Sequence, residues 1–471
     1  MTKRLAAAER SPTGGDMLQR VAKTTLSRAN VIFSRTHTPC YLPPSIAGNV
    51  PHLTPGTDHQ SQPPVLLYWE TVLTLVRFLG LQSYVTLGLL RLDVVVWVRS
   101  SSLVKLATSK KRPFRELLNA TDYKLVLSAR DYISESNPPS SKATGFMIET
   151  SAGRRTVSVE EFMQATELLQ PELVVPLADE IPVEKGRNRH RTAVQTSLDW
   201  LDACQALNTS HTPMCGVVVG GNDQTLRQMS AGETCKRNIQ AILLSGLGSC
   251  TDRAKRLELI DAIVTEITPV SLPRVITGIG HPLDVLDIVN CGIDAFVSPY
   301  PATVTKAGSA LIFWTSDGDD GSSASKRNSE RERSGGVLHL REKRFATDFG
   351  PVMAGCDCFA CRKYTRAYIH HLLNVREMLG DILLYLHNLQ HYYRFFREIR
   401  AAIDTDRFAA YHADFATRYE EKMSAAPPLV IPAAIEERKR KVDAEKSATK
   451  EAKAKASAVK HGAAILKRPR P

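Results

Sequence analysis

The sequence lacks the features that mark several protein classes. It has no run of about 18 apolar residues, the length that a membrane-spanning helix needs. Its most apolar segment, residues 65–98, is interrupted by Glu70, Arg77, Arg91 and Asp93, and is interpreted as buried elements. No GxGxxG motif opens a helix, which disfavours a doubly wound nucleotide-binding sheet. No RRM or KH signature is present either, which weakens the hypothesis of a plain RNA-binding module.

The centre of the chain also lacks an excess of charge of one sign. The net charge is +12. Residues 1–35, with seven basic and two acidic side chains, contribute +5, and residues 436–471, with twelve and five, contribute +7. A basic groove through the folded core is therefore not indicated. The C-terminal segment has no aromatic residue and is predicted not to fold alone; a solvated extension, a nuclear-import signal and an RNA-contacting arm stay open.

Composition divides the chain into five predicted regions. Polar Gly/Ser-rich sequence, "SDGDDGSSASKRNSERERSGG", interrupts the body and is typical of a disordered insertion. The predicted regions are a flexible basic N-terminal extension (1–35), a body (36–315), the disordered insertion (316–344), a subdomain with three clustered cysteines that is predicted to bind zinc, with C-terminal helices (345–425), and a basic disordered tail (426–471).

The body alternates short β-branched runs with helical stretches. The runs are "ELVVPLAD", "CGVVVGG", "IQAILLSGLG", "RVITGIG" and "DAFVSPY", and "RTAVQTSLDWLDACQAL" and "RAKRLELIDAIVTEI" have helical spacing. Such alternation predicts parallel βαβ units. Several runs end in Gly, Asp or Pro, where barrel enzymes place their chemistry. We therefore predict an α/β fold, a (β/α)8 TIM-like barrel, with the doubly wound sheet as the alternative.

Three cysteines lie within six residues, Cys356, Cys358 and Cys361, whereas the other six are isolated. Three adjacent thiols cannot all pair with one another, but C-x-C-x2-C supplies three ligands of a tetrahedral zinc ion. His387 lies on the apolar side of the helical pattern that follows and is the predicted fourth ligand. A complete Cys3His set predicts one structural Zn²⁺ per chain, because a catalytic zinc keeps an open position.

The stretch "CDCFACRKYTRAYIHHLLNVREMLGDILLYLHN" resembles the zinc-binding segment of the tRNA-guanine transglycosylases, the queuine tRNA-ribosyltransferase family. The stretches "RVITGIGHPLDVLDIVNCGIDAF", "TPCYLPP" and "GVVVGGNDQTLR" are similar to other segments of the same family, in the same order. The resemblance covers roughly residues 36–420 without the insertion. It implies a (β/α)8 barrel that acts in exchanging guanine for queuine at the wobble position of tRNAs with GUN anticodons.

The resemblance fails at the positions that carry the family's chemistry. Val297 of "DAFVSPYPAT" stands where the enzymes have the aspartate nucleophile, and Val219 of "VVVGG" stands where they have a base-reading glutamine. Residues 51–143 contain no counterpart of the "DSGGFQ" loop with its second aspartate. Asp179 matches a base-contacting aspartate only with a one-residue shift. Since valine cannot form a glycosyl-enzyme intermediate, we predict no catalytic residue and no enzyme activity for this chain.

A chain that has the family's zinc-binding segment but not its catalytic residues is similar to the family's non-catalytic branch. That resemblance implies a heterodimer with a catalytic queuine tRNA-ribosyltransferase subunit, and tRNA as the second partner. Family dimers pack through the zinc region, which makes Tyr364, Tyr368 and His371 candidate interface residues.

Two other functions stay open. An active transglycosylase or glycosidase with relocated carboxylates would use Asp294, Asp179 or Glu180, and a zinc-stabilised RNA-binding module would rely on the basic ends of the chain. A cytoplasmic location is expected, with the nucleus as the alternative because of the "RKRK" and "KRPRP" clusters. Mitochondrial import is disfavoured by Glu9 and Asp16 in the N-terminal segment.

Overall fold

The computed structural model of the chain describes residues 39–42, 89–93, 124–128, 145–150, 153–269, 272–313 and 336–423. The predicted N-terminal extension, most of the predicted insertion and the whole of the predicted basic tail lie outside these residues. None of the described helices is both long enough and apolar enough to cross a membrane.

Parallel strands dominate the described part of the chain. The strands are β1 (Cys40–Leu42), β2 (Leu89–Asp93), β3 (Lys124–Ser128), β4 (Phe146–Thr150), β5 (Gly153–Val157), β6 (Leu173–Val175), β7 (Cys215–Val218), β8 (Ala241–Leu244), β9 (Arg274–Thr277), β10 (Ala295–Val297), β11 (Ser309–Leu311) and β12 (Val337–His339). One parallel sheet has the order β1-β10-β9-β8-β7, and a second has the order β2-β3-β6. An isolated parallel bridge between Val174 and Met214 joins them at β6 and β7. The predicted α/β fold with a parallel sheet is confirmed.

Helices connect or follow the strands. They are α1 (Val159–Leu169), α2 (Arg187–Ala206), α3 (Gln224–Cys235), α4 (Arg253–Ile267), α5 (Pro282–Asn290), α6 (Tyr300–Lys306), α7 (Phe359–Lys363), α8 (Arg366–Val375), α9 (Met378–Asp404) and α10 (Phe408–Met423). Local sequence explains where several begin. Asp223 and Asp252 accept hydrogen bonds from the first-turn amides of α3 and α4, and Ser158 forms a capping box with Glu161 at α1.

The strands of the first sheet are buried on both faces, as parallel strands between helices usually are. Val218, Ile242 and Ile276 point to the side that packs on helical residues such as Leu259 and Leu286. The alternate set of side chains forms a separate apolar cluster, whose strand members are Cys40, Leu173, Val175, Cys215, Val217, Ala241, Leu243, Val275, Ala295 and Val297. The period of two along each strand therefore separates two cores.

Two antiparallel hairpins depart from the βαβ pattern. β4 pairs with β5, and β11 pairs with β12. The predicted insertion extended to residue 344, and the structure differs there, because residues 337–339 form β12 and a 3-10 turn follows at Lys343–Phe345. The physical reason is apolar burial: Leu338 and Leu340 pack in a third core with Ile369 and Leu384 of the C-terminal helices.

Candidate functional site

The three clustered cysteines lie at the start of the short helix α7. Cys356 precedes the helix, Cys358 is its N-cap residue and Cys361 lies within its single turn. The Cys361 amide donates to Cys358 Sγ at 3.3 Å, so the helix start itself orients that sulfur. Thiols three residues apart face the same side of a helical turn, which points Cys358 and Cys361 together.

Helix α9 brings His387 to the three thiols. The distances from His387 Nδ1 are 3.8 Å to the Sγ atom of Cys356, 3.6 Å to that of Cys358 and 3.3 Å to that of Cys361. All four candidate ligand atoms lie within 4.8 Å of one another. His387 is 0% exposed, so the four side chains form a largely buried cluster that can hold one metal ion.

The other nitrogen of the His387 ring is also engaged. Nε2 lies 2.8 Å from the carbonyl oxygen of Leu311 in β11. A carbonyl only accepts, so Nε2 donates this hydrogen bond and Nδ1 is the ring nitrogen that faces the thiols. A hydrogen bond of this kind fixes the tautomer and ring orientation of a metal-binding histidine.

The charges within the cluster favour a cation at its centre. Hydrogen bonds from the Cys358 and Cys361 thiols lower the pKa of the Cys356 thiol far below its usual value. Burial by itself would lower the pKa of His387, but hydrogen bonds with Cys356 and Cys358 outweigh it and raise the pKa to about 10. Buried thiolate sulfur thus draws positive charge toward the same point.

A different surface lies at the carboxyl ends of the parallel strands. Val219 directly follows β7, and Val297 is the last residue of β10. Both are buried and belong to the same apolar cluster. By the family resemblance, Val219 stands where the enzymes have a base-reading glutamine, and Val297 stands where they have the attacking aspartate. Neither valine carries a group that can attack a sugar or hydrogen-bond a base.

Asp179 and Glu180 follow β6 at the same edge and are both buried. Asp179 Oδ2 accepts a hydrogen bond from Arg189 at 2.6 Å, and the Asp179 amide donates to Ser197 Oγ at 2.9 Å. Burial lowers the pKa of Arg227 to about 10, while the charge of Glu180 opposes that shift. Each carboxylate thus lies near a guanidinium group that stabilises its charge.

Asp294 lies at the opposite end of its strand from Val297. Its Oδ2 atom accepts a hydrogen bond from the backbone amide of Arg274 at 2.7 Å, and its own amide donates to the Arg274 carbonyl at 2.9 Å. These contacts fix the start of β10 against the start of β9. Asp294 is therefore separated from Asp179 and Glu180, and the three carboxylates of the alternative hypothesis do not form one group.

The predicted interface residues follow the metal-binding cysteines in the chain, at the end of α7 and on α8. The rings of Tyr364 and Tyr368 stack with centroids 5.5 Å apart and an interplanar angle of 14°. Tyr364 also contacts Phe359 of α7 edge-on, at 5.7 Å. Tyr368 and His371 are exposed on α8. The cluster and this aromatic surface are thus parts of one local structure.

Sequence reasoning missed several residues of this region. Among the described residues, seven large apolar side chains are exposed, and five of them lie between positions 349 and 379. Of the five, Tyr368 was a predicted interface residue, whereas Phe349, Val375, Met378 and Leu379 were missed. Met378 and Leu379 begin helix α9, and apolar residues in a helix are usually interpreted as core, so only their exposure in the folded chain identifies them. Asn388, next to His387, was also missed, although it is the last residue of the quoted stretch that resembles the family's zinc-binding segment.

Comparison with known proteins decides the family. A family model described as queuine tRNA-ribosyltransferase matches residues 116–421, more than half of the chain. The chain belongs to the queuine tRNA-ribosyltransferase family. The match includes Val219, Val297 and all four residues of the metal-binding cluster.

Relatives within the family carry a more specific name. A protein of Xenopus laevis, named queuine tRNA-ribosyltransferase accessory subunit 2, is 36% identical over 307 residues, which cover 58% of this chain and 74% of the relative. A human protein of the same name is 33% identical over 313 residues, covering 59% and 75%. A third, from Gallus gallus, is 35% identical over 289 residues, covering 55% and 68%.

Proposed function

We propose that this chain is a non-catalytic accessory subunit of queuine tRNA-ribosyltransferase. It binds the catalytic subunit as a heterodimer and positions tRNA while the partner exchanges guanine for queuine at the wobble position of tRNAs with GUN anticodons. The relatives' names support the accessory role. The observation that carries the non-catalytic part is the burial of Val297 and Val219 in one apolar cluster at the strand ends. A covalent nucleophile cannot be supplied there.

The test is incorporation of labelled guanine into tRNA by this chain alone, by the catalytic subunit alone and by both together. We expect no exchange above background with this chain alone, and faster exchange or tighter tRNA binding when the two subunits are mixed than with the catalytic subunit alone. Exchange by the isolated chain, with contaminating enzyme excluded, would overturn the non-catalytic assignment. A catalytic subunit that is fully active and binds tRNA equally well alone at physiological salt would overturn the accessory role.

The metal that fits the cluster is Zn²⁺. Tetrahedral zinc with Zn–S bonds of about 2.3 Å and Zn–N bonds of about 2.0–2.1 Å would separate sulfur from nitrogen by about 3.6 Å. The three S···N distances here are 3.8, 3.6 and 3.3 Å. Three thiolates and one imidazole complete the coordination, so the ion would stabilise the fold and leave no open position for a substrate.

The partner would bind across the surface around this cluster. Phe349 is 77% exposed and Met378 is 72% exposed, which is unusual for large apolar side chains. Together with the stacked Tyr364 and Tyr368, they are aromatic and methionine side chains, the residue types enriched in interface cores. His371 lies on the same helix as Tyr368 and is included in the proposed interface.

Contact with tRNA would come in part from the basic end of the chain. Residues 436–471 carry twelve basic and five acidic side chains. Lysine and arginine bind phosphates in a salt-dependent and sequence-independent way. Deleting residues 436–471 is expected to weaken tRNA binding by the heterodimer and to reduce its salt dependence, with subunit association unchanged. Equal tRNA affinity at several salt concentrations would remove the tail from the proposal.

We also propose that the parallel strands close into a (β/α)8 barrel. Joined through the bridge at Val174, the strand order is β2-β3-β6-β7-β8-β9-β10-β1, so the first strand pairs with the last parallel strand. That order, with one face of the strands packed mainly on other strands, supports a barrel in which β1 and β2 are neighbours. An experimental structure with β1 and β2 unpaired at opposite edges of an open sheet would contradict it.

A further inference from the structure

Asn388 follows His387 in helix α9 and is completely buried. Its Oδ1 atom accepts a hydrogen bond from the Leu311 amide at 2.7 Å. Its Nδ2 group donates to the Ser309 carbonyl and to Thr305 Oγ1, both at 2.9 Å. Because the Leu311 amide needs an acceptor and the Ser309 carbonyl needs a donor, the orientation of the side-chain amide is fixed. Both amide hydrogens and one acceptor position are used.

These contacts replace a neighbouring strand at one edge of β11. The edge toward β12 is occupied, since the Ile312 amide donates to the Gly336 carbonyl and the Leu340 amide donates to the Gly308 carbonyl. Ser309 and Leu311 alternate with those positions, so their backbone groups face the other way. Asn388 satisfies two of these groups with one side chain. Helix α9 is thereby fixed against the strand in one register.

The same strand residue orients the candidate metal ligand. The Leu311 carbonyl accepts the hydrogen bond from His387 Nε2, while the Leu311 amide donates to Asn388. One peptide segment is therefore held by two consecutive residues of α9. If the strand slid by a fraction of a residue, Nε2 would lose its acceptor and Nδ1 would turn away from the sulfur atoms. The register that Asn388 sets is thus the register that the cluster requires.

We propose that Asn388 is a positioning residue for the metal centre: by fixing β11 against α9, it places the Leu311 carbonyl that sets the tautomer and orientation of His387. The proposal rests on the zinc ion proposed above. Thr305 extends the contact to helix α6, the element that directly follows β10 and Val297. Metal binding and docking of the α6–β11 segment are then one coupled event.

The first test compares the full chain with its Asn388→Ala variant. The zinc dissociation constant is measured under native conditions by competition with a chromophoric chelator. Loss of an outer-shell partner typically weakens metal affinity by about 10–100-fold, and we expect a loss in that range. Cobalt(II), bound in place of zinc, reports the geometry directly through its d–d and thiolate charge-transfer absorption. We expect the variant's bands to shift and broaden, because His387 no longer has one fixed orientation.

A matched set of variants separates positioning from general stability. Thr305→Val leaves one Asn388 hydrogen without an acceptor, whereas Thr305→Ser keeps the hydroxyl, so zinc affinity should fall several-fold in the first and return to that of the unmodified chain in the second. Ile399→Val introduces a small cavity three turns further along α9 and should lower the melting temperature with no change in zinc affinity or cobalt spectrum.

The outcomes are distinct. If Asn388→Ala has the zinc affinity and cobalt spectrum of the unmodified chain and only melts earlier, Asn388 is a packing residue and the proposal fails. If Asn388→Ala does not fold, the two Thr305 variants decide, and equal zinc affinity in both overturns it. If the unmodified chain binds no stoichiometric zinc, the metal assignment itself fails, which is a different result from loss of positioning alone.

Discussion

The metal-binding cluster and the carboxyl ends of the parallel strands, called the strand-end edge below, differ in the side chains that occupy their functional positions. In the cluster, four ligand atoms remain within 4.8 Å of one another and a backbone carbonyl orients the histidine. At the edge, the positions that the family resemblance assigns to an attacking aspartate and a base-reading glutamine are the buried valines Val297 and Val219. The cluster thus contains four polar ligands, whereas the two positions at the strand ends contribute apolar side chains to the core.

The difference separates what the fold requires from what the reaction requires. The proposed zinc ion would join α7 and the residues before it to α9, so losing one ligand would affect the packing of both elements. A catalytic carboxylate at a strand end contributes little to packing, and its replacement by valine leaves the sheet intact. A subunit whose partner performs the reaction can lose the second kind of residue and must keep the first.

The largest effect is expected from Cys358→Ser. The variant should lose stoichiometric zinc, and its free energy of unfolding should fall by at least about 3 kcal/mol, part of the metal-binding free energy that couples to folding. With about 2–4 °C per kcal/mol, the melting temperature should fall by at least about 6 °C. Metal content is measured by elemental analysis and stability by calorimetry.

Cys204→Ser is the matched control for that experiment. Cys204 is also a buried free thiol, but it lies in α2 and outside the cluster. It should keep one zinc ion per chain. Equal zinc content in the unmodified chain and the Cys358→Ser variant would show that the cluster does not hold the metal.

Val297→Asp tests whether a carboxylate at the end of β10 is sufficient for base exchange. We expect no base exchange, because the "DSGGFQ" loop and the base-reading glutamine are also missing. A carboxylate without a partner in this buried cluster should lower the free energy of unfolding by about 3 kcal/mol at pH 7. Burial raises the folded-state pKa of an introduced carboxyl above its unfolded value of about 3.9. The loss should therefore be small below pH 4 and grow as the pH rises through that raised pKa.

Val297→Ala is the control, since its cavity should lower stability by roughly 2 kcal/mol with little dependence on pH. Urea unfolding at several pH values between 4 and 8 distinguishes the two variants. Measurable guanine exchange by Val297→Asp would mean that the edge still contains a working site. That result would contradict the contrast between the two regions.

The parallel strands and the ligand set were predictable because both depend on local sequence. Each apolar run of the body contains a strand, from β6 to β10, since residues buried on both faces leave a continuous apolar signature. Cys356, Cys358 and Cys361 are adjacent in the chain, and the helical period placed His387 on the buried side of α9. In these cases the spacing of residues along the chain was enough to predict which side chains are buried or lie together.

Contacts between distant segments were not predictable in the same way. Asn388 meets Leu311 across 77 positions, and no local pattern links the two. Strand β12 was assigned to the insertion because its three residues are too short to give a periodic signal beside a polar, Gly-rich stretch. Met378 resembles a core residue in sequence, and only the tertiary fold leaves it exposed.

A smaller effect is expected at the proposed partner surface from Met378→Asp. Because Met378 is largely exposed, the substitution should leave folding and zinc content unchanged. A charge at an apolar interface core should weaken association with the catalytic subunit by about 2 kcal/mol, or about 30-fold. Met229→Asp provides the control, as Met229 is an exposed methionine on α3, away from the cluster. Equal loss of affinity in both variants, measured by calorimetry, would place the interface elsewhere.

The smallest effect is expected from the ion pair that remains at the strand-end edge. Asp179 is buried and Arg189 is partly exposed, with 2.6 Å between Nη1 and Oδ2. Arg189→Gln leaves a buried carboxylate without its cation and should lower the free energy of unfolding by about 1–2 kcal/mol, less than for a fully buried pair because water reaches Arg189. Asp179→Asn should lower it by a similar or smaller amount. The double variant should be about 1 kcal/mol more stable than the sum of the two single losses predicts.

If the edge has only a structural role, the heterodimer carrying Asp179→Asn exchanges guanine within about twofold of the unmodified heterodimer. A larger fall in exchange, with association and zinc content intact, would show that this edge still takes part in the reaction and that the two regions differ less than their side chains indicate.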